Sequence, residues 1–308
     1  MRLFKKTNID FIGKRKVAFA ISILIILAGL VSLVMNGGPK YSIDFTGGVA
    51  LELDLTPKAE GVEPLDVQII RDVLTENGII DAVIQEVSNP EGKNFILIKS
   101  KETEDSDVKI TKKIVEIISH KFPEYVETET LIRLQEEVGP KIGSELKEKA
   151  ILAIFWALLG IIIYIWWRFE FTFGVAAVVA LFHDVIITVG IFSLLGKEIS
   201  LSIVAALLTI VGYSLNDTIV VFDRIREDRK NMRKQSVGTI INHSINSTLS
   251  RTIITSFTTF IVVLSLYVFG GSVIHDFALA ILVGIVVGTY SSIFIASPIL
   301  VEHFSRKQ

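Results

Sequence analysis

Residues 201–222 read LSIVAALLTIVGYSLNDTIVVF. The stretch is long enough to cross a hydrocarbon layer of about 30 Å as a helix. One carboxylate, Asp217, interrupts it, with Asn216 beside it. An ionisable residue inside a span is costly and by default marks a working site. The stretch is therefore expected to be a membrane helix with a polar face turned away from lipid. The same reading extends outward to spans at 17–35, 148–167, 171–195, 200–222, 249–270 and 275–301, separated mostly by short polar joints. The run at 17–35 follows a basic start, as a signal peptide would. No small-x-small cleavage site follows cleanly, so a retained first helix is expected.

Composition supports this division. Half of the 308 residues are apolar, yet 21% are charged, and the formal net charge is only −2. Charge must then be segregated along the chain. Residues 36–147 read as a water-exposed domain with an acidic excess, and the remainder reads as lipid-soluble helix with charge at its joints. Within the domain, residues 49–55 alternate as a strand. Residues 65–77 have helical spacing and stop at Gly78. Strands at 80–87 and 95–99 are joined by the turn sequence Asn89-Pro90-Glu91-Gly92. A second helix is expected at 108–122 and a last strand at 125–134. The order β-α-β-β-α-β is the ferredoxin-like split βαβ. The expected fold class is thus an α-helical polytopic membrane protein of six transmembrane helices with an inserted α+β ferredoxin-like domain. The fold by itself says little about activity.

Lys and Arg concentrate on cytoplasmic segments of membrane proteins. The basic residues sit in the tail 1–16 (Arg2, Lys5, Lys6, Lys14, Arg15, Lys16), at Arg168, and in the loop 223–248. That loop carries Arg224, Arg226, Arg229, Lys230, Arg233 and Lys234, and the tail 302–308 carries Arg306 and Lys307. The other joints carry Lys197 or no basic residue. Both termini and the 223–248 loop are expected in the cytoplasm, and residues 39–145 outside it. The basic loop faces lipid headgroups in the simplest account, so membrane lipid is an expected partner and nucleic acid is not.

Three ionisable residues lie inside spans: Asp184, Asp217 and Arg251. Each has hydroxyls at helical spacing. Asp217 shares a face with Thr209 and Tyr213, Arg251 with Thr255 and Thr259, and Asp184 with Thr188 and the adjacent His183. Asp217 and Arg251 are expected to meet at similar depth. Two readings remain open: an ion-coupling site, or a static buried pair that fixes helix register. Gly284 and Gly288, with Gly212, are expected to form small-residue packing faces. There is no cysteine, no histidine spacing of a metal site, no P-loop and no GxSxG. Hence no catalytic residues, no metal and no cofactor are expected. Work, if the protein does any, would draw on an ion gradient.

The chain resembles the SecF family, the smaller subunits of SecD–SecF protein-export complexes in the RND superfamily. Ile43-Asp44-Phe45-Thr46-Gly47-Gly48 and Val138-Gly139-Pro140 through Leu146 carry the resemblance on either side of the inserted domain. Phe182-His183-Asp184 and Gly212-Tyr213-Ser214-Leu215-Asn216-Asp217-Thr218 through Glu227 carry it within the spans. Ser250-Arg251-Thr252, Gly270-Gly271 and Tyr290-Ser291-Ser292 complete it. The resemblance implies an accessory subunit of the Sec translocase that uses a proton or sodium gradient to promote export across the cytoplasmic membrane. It implies as partners a SecD-like subunit, the Sec channel with its ATPase motor, and the translocating preprotein. It also implies that Asp217 and Arg251 lie on the ion pathway. The alternatives are a small-molecule or lipid exporter of the wider RND class and a non-transporting scaffold.

Overall fold

The computed structural model describes residues 7–58, 62–80, 82–87, 93–100, 110–126 and 131–305, with the backbone alone at 272 and 273. The turn expected at Asn89–Gly92, the basic residues Arg2, Lys5 and Lys6, and the tail residues Arg306 and Lys307 lie outside the described residues. Helix α1 (Arg15–Met35) leads to a one-turn helix α2 (Ile43–Thr46), strand β1 (Gly48–Asp54), helix α3 (Val67–Glu76), strands β2 (Val83–Val87) and β3 (Phe95–Ser100), helix α4 (Ile110–Lys121) and strand β4 (Ile132–Val138). Helices α5 (Pro140–Arg168), α6 (Phe171–Leu194), α7 (Leu201–Asn231), α8 (Val237–Phe269) and α9 (Gly271–Ser291) follow. A π-helical turn at Ser292–Ala296 then runs into α10 (Ser297–Ser305). Among the described residues six helices are long and apolar enough to cross a membrane, the sixth running through α9, the π turn and α10. The chain divides into two units, one holding most of the membrane helices and the other residues 41–151 and 268–275.

In the small unit the four strands form one antiparallel sheet in the order β2-β3-β1-β4, the ferredoxin-like arrangement. Ile84 pairs with Ile98 and Ile98 with Leu51, so one apolar rung crosses three strands. Ile70 and Leu74 of α3 and Ile114 and Ile118 of α4 belong to the same fully buried core. Strand β4 begins at Ile132, not near Tyr125 as its apolar residues suggested; Tyr125 lies in a turn against Phe122. As the sheet's edge, β4 carries charge along IRLQEEV, which suits an edge strand and hides its alternation. Arg133 on that edge reaches Glu52 at 3.0 Å and lies over the Phe95 ring. The segments Ile43–Gly48 and Val138–Leu146 pack on each other. Gly47 (φ 76°) sits against Pro140, where a Cβ would lie 2.8 Å from the proline Cα, so only glycine suits it.

In the membrane unit α6, α7 and the sixth helix are half or more buried along their spans, against less than a fifth for α1, α5 and α8. The inner helices approach closely at glycines. Gly29 of α1 meets Gly190 of α6, where a Cβ would come within 2.7 Å of the partner Cα. Gly284 meets Ile210 and Gly288 meets Ser214. Gly284 and Gly288 therefore serve packing within the chain. Gly212 is the exception, exposed with nothing near it. At one end Phe169, Phe173, Phe222 and Phe304 form an aromatic cluster.

The basic segment 223–248 is largely helical and not an open loop. Helix α7 continues to Asn231, and α8 resumes at Val237. The charges that read as solvated loop form helix-spaced ion pairs, Asp223–Arg226, Arg224–Glu227 and Arg224–Asp228. Buried Asp228 also accepts from Ser244 at 2.8 Å and faces His243 Nδ1 at 3.0 Å.

Candidate functional site: two buried carboxylates

Asp184 lies near the middle of α6 and is completely buried. Desolvating a carboxylate demands partners, and four helices supply or support them. Ser214 of α7 donates to Oδ2 at 2.5 Å and Ser291 of α9 donates to the same oxygen at 2.8 Å. The neighbouring His183 holds Nδ1 at 2.9 Å from Oδ1. Its Nε2 lies 3.0 Å from Ser22 Oγ of α1. Ser22 in turn donates to the Tyr290 hydroxyl at 3.2 Å, and Tyr290 donates to the Ala18 carbonyl at 2.7 Å. The His183 and Tyr290 rings stack with centroids 6.1 Å apart. Thr188, expected on this face, instead donates to the Asp184 backbone carbonyl.

Asp217 is 3% exposed and sits one helical turn beyond Ser214 on α7. It accepts from Ser256 of α8 at 3.2 Å, and Ser256 lies 2.7 Å from the hydroxyl of Thr289. Thr289, Tyr290 and Ser291 are consecutive, so one stretch of the sixth helix touches both carboxylate networks. The close approach at Gly288 against Ser214 brings that stretch in.

Arg251 does not pair with Asp217. Its side chain is exposed, makes no ion pair within 4.0 Å among the described residues, and lines a cleft of about 390 Å³ with Val220, Asp223, Arg224, Glu227 and Thr248. The cleft lies at the charged end of α7, beside the turn that follows Asp217. The hydroxyls at helical spacing on α7 and α8 do not form a continuous chain of hydrogen bonds either. Thr209 donates to the Ala205 carbonyl, Thr255 to the Arg251 carbonyl, and Thr259 to the Thr255 carbonyl. A helical hydroxyl satisfies itself on the preceding turn when nothing better faces it. The Tyr213 hydroxyl is buried with no hydrogen-bond partner among the described residues, and Asn216 is exposed. Asp276, at a helix end, pairs with Lys197 at 2.9 Å.

The sequence singled out Asp184, Asp217 and His183 but missed Ser22, Ser214, Ser256, Thr289, Tyr290 and Ser291. Ser214 had a usable signal, one turn from Asp217 on the same face. The others come from distant helices and carry no spacing that announces them. Among the described residues no cluster of three or more His, Asp or Glu could hold a metal. The arrangement offers oxygen and imidazole groups able to hold and hand on a proton, or oxygens able to hold a small cation. Ser22, His183 and Asp184 line up as hydroxyl, imidazole and carboxylate, but all three are buried between helices and the Ser22 hydroxyl donates to Tyr290, so the row is placed to pass a proton and not to attack a substrate.

The family described as protein export membrane protein SecD/SecF, C-terminal, matches residues 118–306. The protein translocase subunit SecF of Thermodesulfovibrio yellowstonii is 44% identical over 307 residues, covering 97% of this chain and 96% of that one. The crystal structure of SecDF from Thermus thermophilus, a translocon-associated membrane protein, superposes with a TM-score of 0.81 at 39% identity. That match covers 97% of this chain, and the chain spans only 39% of the solved one. A second solved structure, SecDF in a super-membrane-facing form, matches with a TM-score of 0.69 at 41% identity, over all of this chain and 40% of that one.

Proposed function

The chain belongs to the SecD/SecF family of protein-export membrane proteins, and from that premise we propose that it is a SecF-like subunit that spends a proton or sodium gradient on protein export. The observation that carries this reading is the pair of buried carboxylates, Asp184 and Asp217, joined through hydroxyls to one stretch of the sixth helix. One elementary charge moving down a membrane potential releases about 2.3 kcal/mol per 100 mV. A carboxylate that gains and loses that charge exchanges its attraction for Ser256 or Ser214 for a weaker contact, and the helices that supply those hydroxyls repack. Arg251 stands at the charged cleft near Asp217 and serves as the electrostatic guard of its approach.

The termini and the charged end of α7 are on the cytoplasmic side of the inner membrane in this reading, and the ferredoxin-like domain is outside. Secretion by inverted vesicles, with the proton and sodium gradients collapsed separately, tests it. Loss of stimulation with one of the two is expected, and in the same vesicles a cysteine at Gln235 is expected to label from the bath. Stimulation that survives both collapses leaves only the scaffold reading.

A SecD-like subunit is the proposed partner in the membrane, with the Sec channel, its motor and the preprotein beyond it. Its place is the exposed face of α7 formed by Ser202, Ala205, Thr209, Gly212 and Asn216. Lipid cannot satisfy the Asn216 amide, and the small residues permit close helix approach. Asp217 itself points the other way, into the chain. Cysteines at Ala205 or Gly212 are expected to crosslink to the SecD-like subunit in native membranes. Reaction with lipid-phase reagents alone would remove this face as the interface.

A further inference from the structure

We propose that α1 is the arm through which the buried carboxylates drive the small α/β domain, with α1 and α6 moving as one body and α5 following passively. The inference rests on the gradient-driven reading above. Two helices continue covalently into residues 41–151, which hold the sheet, α1 through Lys40 and α5 through Ala150, and their attachments to the membrane unit differ in kind.

Helix α1 is fastened along its whole length. Ahead of it, the side chains of Asn242 and Asn246 of α8 bond the backbone of Ile9, Phe11 and Ile12 at 2.8–3.3 Å. In its first half Ser22 joins His183, which joins Asp184, and the Ala18 carbonyl receives Tyr290. Further along, Gly29 and Gly190 bring the two backbones together with no side chain between. Ser32 then meets Ser193 at 2.8 Å, with Asn36 bonded to both. Past its end, the Lys40 carbonyl accepts from the Ile199 amide at 2.7 Å, in the joint between α6 and α7. Interhelical hydrogen bonds and glycine contacts are directional and close, so they transmit displacement.

Helix α5 is tied at its far end alone, where Arg168 donates to both Asp223 oxygens of α7 at 2.9 Å. Among the described residues, no side chain between Ala150 and Trp167 hydrogen-bonds another helix. Trp156, Trp166 and Trp167 are exposed, and an apolar cleft of about 220 Å³ opens between α5 and α6 beside Leu158, Ile161, Val178 and Leu181. Apolar contact without direction lets a helix slide. The moving joint is then the Tyr290 junction, where the sixth helix meets the α1–α6 pair through Ser22, Ala18 and Asp184.

The chain has no cysteine, so crosslinks can be placed singly. In vesicles where the unmodified chain shows gradient stimulation, oxidising Ser32→Cys/Ser193→Cys to lock α1 to α6 is expected to leave that stimulation intact. A Gly-Ser-Gly-Ser insert after Lys40 is expected to reduce it to the level without a gradient, and the same insert after Gly139 to leave it close to normal. Copurification with the SecD-like subunit checks assembly of each. If the lock abolishes stimulation, or the two inserts act alike, the arm is refuted while gradient coupling stands. If the unmodified chain shows no gradient stimulation, the proposed function falls and the arm with it.

Discussion

Replacing Asp217 with Asn is expected to abolish the gradient-stimulated part of secretion while the chain still folds and assembles. The asparagine side-chain oxygen can still accept from Ser256, so the packing of α7 against α8 survives. What is lost is the ability to change charge. If one charge crosses per cycle, about 2.3 kcal/mol per 100 mV goes unused, roughly a fifty-fold factor in any equilibrium it drives. The measurement is secretion with and without a gradient, alongside copurification with the SecD-like subunit. Arg251→Met is expected to do less, because Arg251 makes no direct bond to Asp217. An Asp217→Asn chain that responds normally to the gradient would return Asp217 to the role of a buried helix tie.

Replacing Asp184 with Leu is expected to damage the fold itself. Oδ2 is the shared acceptor of Ser214 and Ser291, and Oδ1 fixes His183. Removing the carboxylate leaves two buried hydroxyls and an imidazole without their partner. A buried polar group left without its partner costs about 1–3 kcal/mol. SDS-driven unfolding of the purified chain should show a loss of that size, whereas Asp184→Asn, which keeps an acceptor in place, should lose markedly less. Equal stability of the Leu variant and the native chain would mean that the cluster does not hold α6, α7 and the sixth helix together.

The membrane helices were legible because hydropathy and length decide them, and the ferredoxin-like order was legible from alternation and turn residues. Boundaries failed where a second constraint overrode pattern. Strand β4 carries charge because it is an edge, and the 223–231 stretch stays helical because its charges pair at three- and four-residue spacing. The buried carboxylates stood out on cost alone. Their partners did not, since Ser22, Ser256 and Ser291 look like any small residues until distant helices are brought together. The supposed Asp217–Arg251 pair failed for a related reason. Similar depth along two helices does not fix which way each side chain turns, and Arg251 turns outward to the cleft.

The π turn at Ser292–Ala296 takes up one residue more than an α-helix would, and the Ser297 side-chain hydroxyl donates to the Ser292 carbonyl five residues back. Each residue of an α-helix advances about 100° around its axis, so the extra residue resets the phase of everything after it. Before the turn, Gly284, Gly288 and Ser291 face the neighbouring helices; after it, Leu300 and Phe304 are among the buried residues, with Pro298 and Val301, and Glu302 is exposed. An unbroken α-helix would carry Glu302 round to the side of Gly284 and Gly288 and swing Leu300 and Phe304 away from it. The surplus residue is thus a phase corrector: it lets a single helix present a hydroxyl face to the carboxylates in mid-membrane and an apolar face to the aromatic cluster at its end.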